Sequence, residues 1–324
     1  MRWPLALSTL LILLLVAPAS AQTSAVAQPA GTATFRGGVD LVTVSAVVRD
    51  HKGRVVTDLI RSDFELLDTG ERRAITDFRS ERAGVSVALL FDASGSMQVA
   101  AKMEAARQAA RQVLAWLKPG EDELGIYSFD SGIRQLQPFS SYREDAALER
   151  SMVGIEPFGM TSLNDAIAAT AKELAARPYA HRAVIVLTDG VDNNSRLSPG
   201  EVSGIASSID VPVYILAVVS PLDQPGAASA VSSERPVPVG DLADLARWTG
   251  GEFFVSSVPA QTSVAARQIV EELRHQYVLA FEPASRPGWH PLEVRARGKQ
   301  LVVRARSGYM AAQPRTENLG PASR

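Results

Sequence analysis

From Val85 to Thr249 the chain alternates short apolar runs with longer stretches of helical period, and this alternation constrains its fold more than any other feature. The runs are Val85–Phe91, Leu124–Phe129, Ala183–Thr188 and Val213–Val219, each mostly apolar. Runs of that kind are strands covered on both faces. Helical patterns fall at Gln98–Leu117, Ser162–Ala176, Ser198–Ser208 and Asp241–Thr249. Strand followed by helix, repeated, predicts an α/β domain: a mainly parallel, doubly wound sheet with helices on both faces. Ile133–Phe139 departs from the pattern, because only Asp130-Ser131-Gly132 separates it from the strand before it. Parallel neighbours need a long crossover, so this strand is expected to be antiparallel, at a sheet edge.

The flanks read differently. Val42, Val44, Ala46 and Val48 fall on one side with Thr43 and Ser45 between them, then Asp50-His51-Lys52-Gly53 makes a turn. Short strands follow around Phe64–Leu67 and Ala74–Phe78. After a helix over Ala260–Arg274 come Tyr277–Phe281, Leu292–Arg297 and Leu301–Arg306, the last two read as a hairpin across Gly298-Lys299-Gln300. Each flank has an apolar side with nothing of its own to cover it. Packing one flank on the other gives a β-sandwich-like module around the inserted α/β domain. The expected divisions are a β segment at 36–82, the α/β domain at 84–257, a linking helix at 258–274, a second β segment at 275–311 and a disordered tail at 312–324. Pro221–Val239 has no periodicity and reads either as a surface insertion or as a binding loop on the face where its strand ends.

The amino terminus has a positive residue, Arg2, an apolar stretch from Leu5 to Val16, and Ala19-Ser20-Ala21 before Gln22. That is the pattern of a cleaved signal peptide over 1–21, followed by a flexible leader to about residue 35. The apolar stretch is short for a membrane span, and no other segment is long enough to cross a bilayer. The expected location is secreted, periplasmic or on the cell envelope. The chain has no cysteine, which removes every thiol-based metal, redox or nucleophile chemistry and makes the core alone responsible for stability. With 33 basic and 35 acidic residues and no basic run, nucleic acid is not the expected partner.

Functional loops of a doubly wound sheet gather at the carboxyl ends of its strands. Three such loops carry hard oxygen donors. The first is Asp92-Ala93-Ser94-Gly95-Ser96, whose oxygen-bearing side chains at i, i+2 and i+4 turn to one side while Gly95 lets the backbone bend. The second is Gly159-Met160-Thr161-Ser162-Leu163-Asn164-Asp165, with Thr161 at the mouth of a helix. The third is Thr188-Asp189-Gly190. Taken singly, Asp92 and Thr161 also fit helix capping and Asp189 a strand-end turn. Taken together they form an oxygen-only set that suits a hard cation. Asp165 reads as a helix-dipole partner in its first turn, and Asp192 and Asn193 read as part of a solvated loop or, alternatively, as lining the rim. No H-E-x-x-H, G-x-S-x-G or phosphate-binding loop occurs, and the four histidines are scattered.

In these three loops, Val85 to Ser257 resembles a von Willebrand factor A (VWA) domain with its metal-ion-dependent adhesion site (MIDAS). The resemblance implies that Asp92, Ser94, Ser96, Thr161 and Asp189 surround Mg²⁺ or Mn²⁺, the hydroxyls as ligands and the aspartates directly or through water. It implies no catalytic residues and a protein partner that offers Asp or Glu to the metal. The flanks, with Asp63-Phe64-Glu65-Leu66-Leu67-Asp68 before and Tyr277-Val278-Leu279-Ala280-Phe281-Glu282-Pro283 after, resemble secreted bacterial VWA-related proteins common in acidobacteria. The alternatives are a metal-dependent hydrolase, which would need a base beside the ion, and an adaptor subunit for an ATPase. No histidine lies near the three loops in sequence, and the export pattern and missing ATPase domain count against the adaptor.

Overall fold

The computed structural model describes residues 41–80, 82–190, 192–218, 239–256, 258–284, 286–298 and 300–311. Four strands come first: β1 (Val42–Arg49), β2 (Phe64–Asp68), β3 (Glu71–Arg73) and β4 (Ile75–Arg79). The α/β part follows with β5 (Val85–Asp92), α1 (Lys102–Trp116), β6 (Glu123–Phe129), β7 (Ile133–Ser140), α2 (Asp145–Val153), α3 (Leu163–Ala175), β8 (His181–Thr188), α4 (Pro199–Ser208), β9 (Val213–Val218), α5 (Val239–Trp248) and β10 (Phe253–Ser256). Then α6 (Pro259–Arg274) leads to β11 (Tyr277–Phe281), β12 (Gly288–Ala296), β13 (Val302–Ala305) and β14 (Gly308–Ala311). The described residues all fall within one compact unit, Val39–Arg324.

The six-stranded sheet has the order β10-β9-β8-β5-β6-β7. Every neighbouring pair is parallel except β6 and β7, so β7 is the expected antiparallel edge strand. At the centre, β5 is buried at all its positions, which is why its sequence has so little polar alternation. Val85, Val87, Leu89 and Phe91 face α1 and α6, meeting Ala106, Val113, Ile269 and Leu273. Ala88 and Leu90 face the other way, toward Ile167 of α3, Val202 of α4 and Leu245 of α5. The helices meet this sheet through stripes at helical spacing, such as Met103, Ala106, Ala110 and Val113 of α1. Gly251 lets the chain pass close to β9, since a Cβ there would stand 1.9 Å from the Val213 carbonyl oxygen.

The flanks form two antiparallel sheets, β13-β1-β11-β4 and β14-β12-β2-β3. Their shared core contains Val44, Ala46 and Val48 of β1, Leu66 of β2, Leu279 and Phe281 of β11, and Leu292 and Val294 of β12. The expected sandwich is therefore present, with Val44 directly opposite Leu279 in register. The other side of β1 is buried too, and it joins the sandwich to the α/β part. Ser45 donates from its amide (3.2 Å) and hydroxyl (2.8 Å) to the Asp210 carboxylate. Arg49 and Arg304 pair with Glu252 and with the fully buried Glu272 of α6, whose carboxylate also accepts from the Tyr214 hydroxyl at 3.0 Å.

Several expectations need correction. Leu292–Arg297 and Leu301–Arg306 are not a hairpin: β12 pairs with β2 and β14, whereas β13 pairs with β1 in the opposite sheet. A two-residue period reports that one face is buried and carries no information about which strand lies alongside. The helix expected from Gln98 starts at Lys102, after a 3-10 turn over Gly95–Ala101 that ends with Ala101 in the left-handed region (φ 59°). Met310 and Ala311, the last residues of the expected second β segment, lie in β14. The strands β3, β10 and β14 and the helix α2 carried too little periodicity to be read. The proposed insertion at Pro221–Val239 lies outside the described residues except for Val239, which opens α5, and so do the signal peptide, the leader and the tail from 312.

Candidate metal centre

The sheet order reverses at β5: β6 lies on one side and β8 on the other, with chain crossovers leaving in both directions. A crevice opens at the carboxyl ends of strands that flank such a reversal. Asp92 ends β5, and Thr188 ends β8 with Asp189 immediately after it. The register Phe91↔Leu187 places these two strand ends side by side.

Asp92 is fully buried. One carboxylate oxygen accepts from the Ser94 amide at 2.9 Å, and the other accepts from the Thr188 hydroxyl at 2.6 Å. The Ser94 and Ser96 hydroxyls are hydrogen-bonded to each other at 3.0 Å, so both point to one side of the loop as the i, i+2, i+4 spacing predicts. Ser94 is buried, while Ser96 is exposed. Gly95 does not take a left-handed turn; its value is a close approach, with its amide donating to the Gly159 carbonyl at 3.0 Å. Gly159 is the residue that needs positive φ, at 87°.

The second loop is held against the first. The Phe158 amide donates to the Ala93 carbonyl at 2.7 Å, beside the Gly95–Gly159 bond. Thr161, which is buried, follows two residues later. Its amide donates to the Asn193 side-chain oxygen (2.8 Å), and its carbonyl accepts from the Asn193 and Asn194 amides (both 3.1 Å). Asn193, though exposed, is thus also a clamp on Thr161. Asp192 is likewise structural: it accepts from the Asn164 amide at 2.8 Å at the start of α3 and from the Asn194 and Ser195 amides. Asp165 lies in the first turn of α3 as expected, and it also accepts from the Arg196 and Leu197 amides.

Asp189 completes the group. One of its carboxylate oxygens accepts from the Lys102 ammonium at 3.2 Å, and the other is buried without a hydrogen-bond partner. A buried carboxylate oxygen without a partner carries a desolvation cost that a cation or proton would remove. Burial pushes the Asp92 carboxyl up to about 6, against the opposing hydrogen bonds from Ser94 and Thr188, and the charge of Asp189 adds to the rise. Two desolvated carboxylates whose charges repel, beside the two serine hydroxyls of the Asp92 loop, fit a hard divalent cation and no soft one. Among the described residues no cluster of three or more His, Asp or Glu side chains is gathered for a metal, so the hydroxyls would have to complete any coordination sphere. Sequence reasoning passed over Lys102, named Thr188 only as part of its loop and gave Asn193 no part in holding Thr161. Thr188 ends an apolar strand and Asn193 lies in a polar loop, and neither position stands out by residue type alone.

Residues 87–191 match the family model of the von Willebrand factor type A domain. Among curated proteins no sequence matches the chain. Among solved structures the chain is similar to the conserved hypothetical protein BatB from Bacteroides thetaiotaomicron, at 18% identity over 58% of this chain and 98% of that one, with a TM-score of 0.45. It is similar to a von Willebrand factor type A protein from Catenulispora acidiphila, at 14% identity over 78% of this chain and 74% of that one (TM-score 0.48). A third is proximal thread matrix protein 1 from the mussel byssus with a zinc-occupied MIDAS motif, at 16% identity over 65% of this chain and 50% of that one (TM-score 0.46). By its family match and by a mainly parallel sheet with three oxygen-bearing loops at the carboxyl ends of its strands, the segment at residues 87–191 belongs to the von Willebrand factor type A domains.

Proposed function

We propose that this chain is an exported, non-enzymatic binding protein that takes up a carboxylate of a protein partner through a divalent metal, Mg²⁺ or Mn²⁺. Asp92, Ser94, Ser96, Thr161 and Asp189 are the residues assigned to the metal. The observation that carries this reading is the buried, unpartnered oxygen of Asp189 beside the strand that ends in the buried Asp92. A bound divalent ion supplies an electrophilic centre with room for one more oxygen ligand. Asp92 and Asp189 bring negative charge to it, while the serine and threonine hydroxyls, being neutral, leave it electron-poor. An Asp or Glu side chain of the partner would fill the remaining position as a further anionic donor. A hydrolytic reading would need a base in this crevice, and the four histidines stand elsewhere: His51 in the turn after β1, His181 at the amino end of β8, His275 at the end of α6 and His290 in β12. The export half of the proposal rests on the sequence at 1–21; among the described residues no helix is long and apolar enough to cross a membrane.

Metal should stabilise the fold. At ten times the dissociation constant the gain is about 1.4 kcal/mol, which for a chain of this size raises the melting temperature by roughly 3–6 °C. Thermal melts in EDTA and in Mg²⁺ measure this for the wild type, Asp92→Ala and Asp189→Ala. The rise should vanish in both variants, and an equal rise in them would remove these residues from the site.

A further inference from the structure

Large apolar side chains stand exposed on and beside the loops that carry the assigned donors. Val99 lies in the 3-10 turn that also holds Ser96, Phe158 and Met160 flank Gly159 just before Thr161, and Ile133 opens β7 after the turn from β6. Phe158 is the extreme case, at 78% exposure. Hydrogen bonds fasten these segments to one another. The Gln98 side chain donates to the Pro157 carbonyl, the Gly95 amide to the Gly159 carbonyl at 3.0 Å and the Phe158 amide to the Ala93 carbonyl at 2.7 Å. The Met160 amide donates to the Ser131 hydroxyl at 3.3 Å and the Ser162 amide to the Asp130 carbonyl at 2.7 Å, which ties the second loop to the turn between β6 and β7. The apolar side chains thus project from a backbone that is already fixed. One exposed apolar residue is ordinary on a protein surface, but several on one rim mark a contact surface. A fixed rim also has little freedom left to lose on contact, so more of the burial is expressed as affinity.

We propose that this rim is the second half of the partner site and seats a large apolar side chain next to the partner's acidic residue. The partner is then a polypeptide in which Asp or Glu stands beside residues such as Phe or Leu, rather than any acidic surface. The inference rests on the metal reading given above. Continuity with the donors commits the rim to this occupant. Met160 immediately precedes Thr161, and Val99 follows Ser96 within the same 3-10 turn. A chain whose carboxylate reaches the metal carries its adjacent residues only about 3.8 Å to either side, over these same two loops.

The test is binding of two capped peptides, acetyl-Gly-Phe-Glu-Phe-Gly-amide and acetyl-Gly-Ser-Glu-Ser-Gly-amide, to the full chain in saturating Mn²⁺. The proteins are wild type, Phe158→Ser, Tyr142→Ser and Asp92→Asn. Wild type should bind the Phe peptide about tenfold more tightly than the Ser peptide, part of what burying a large apolar side chain can give. Phe158→Ser should lose most of that preference. Tyr142→Ser should keep it: Tyr142 is 82% exposed too, but it lies past Ser140, which pairs with Leu124 at the far end of β6. Both side chains are exposed, so both variants should melt like wild type. If wild type binds the two peptides equally and Asp92→Asn binds neither, the rim inference is wrong and the metal reading stands. If neither peptide binds wild type, or the Phe peptide binds Asp92→Asn as well as wild type, the metal reading fails and this inference fails with it. If wild type sediments as a dimer and Phe158→Ser as a monomer, the rim is an interface between copies of this chain, and the inference is overturned.

Discussion

Glu272→Ala should lower the unfolding free energy by roughly 3–5 kcal/mol, the cost of breaking a buried ion pair by removing one partner. Glu272 is fully buried on α6 and accepts from Arg49 of β1, Arg304 of β13 and the Tyr214 hydroxyl of β9. Its loss leaves two guanidinium groups with only Glu252 to share, and Glu252 is a third exposed. For a chain of this size the melting temperature should fall by roughly 6–20 °C. Replacing Arg304 as well, in Glu272→Leu with Arg304→Met, should recover part of that loss, because the unpaired charge goes with its partner. A single variant that melts like wild type would mean that the join between sandwich and α/β part does not depend on this network. The network also reaches the loop at the end of β5: α6 packs on α1, which begins at Lys102, so the sandwich is fastened to a helix that lies against the one leading from the Asp92 loop.

Asp68→Ala should be of similar size, roughly 3–5 kcal/mol, and it should also change the response to acid. Asp68 ends β2 in the sandwich and is fully buried. It meets His290 Nδ1 at 3.0 Å and accepts from the Tyr309 hydroxyl at 3.0 Å, the Ala284 amide at 3.2 Å and the Thr69 hydroxyl at 3.1 Å, with Arg73 at 3.4 Å. Burial by itself would raise the Asp68 carboxyl, but these hydrogen bonds, His290 and Tyr309 foremost, outweigh it and hold the carboxyl below its ordinary value of 3.8. The unfolded chain therefore binds the proton more readily than the folded one, so this group's stabilisation is complete above its unfolded pKa. It is lost as pH falls through the lower folded value. Urea midpoints of wild type should drop on going from pH 6 to pH 3, and the drop should be smaller in Asp68→Ala. Parallel pH curves in the two proteins would show that Asp68 has no part in acid sensitivity.

Most of the architecture was legible because burial writes itself into the sequence. Strands β5, β6, β8 and β9 are read from apolar runs, since both their faces are covered. The outward alternation in β12, where Glu293 and Arg295 are exposed between buried Leu292 and Val294, shows which face is inside. The pairing partner of that strand leaves no such mark, which is why a hairpin with β13 was expected where an arch between sheets was found. Helix α2 buries only Leu148 and Met152, too few positions to display a period. In the site, the loop residues with characteristic spacing stood out, whereas their supports did not. Thr188 orients Asp92, Asn193 fixes Thr161, and Lys102 faces Asp189 across more than eighty residues of chain, and only the fold brings these groups together.

Anomalous diffraction from crystals grown with Mn²⁺ tests the central claim most directly. The account predicts a manganese peak in the crevice at the ends of β5 and β8, within direct or water-bridged reach of Asp92, Ser94, Ser96, Thr161 and Asp189. A map at saturating Mn²⁺ with no peak between those loops, or with its peak bound to other residues, would contradict it.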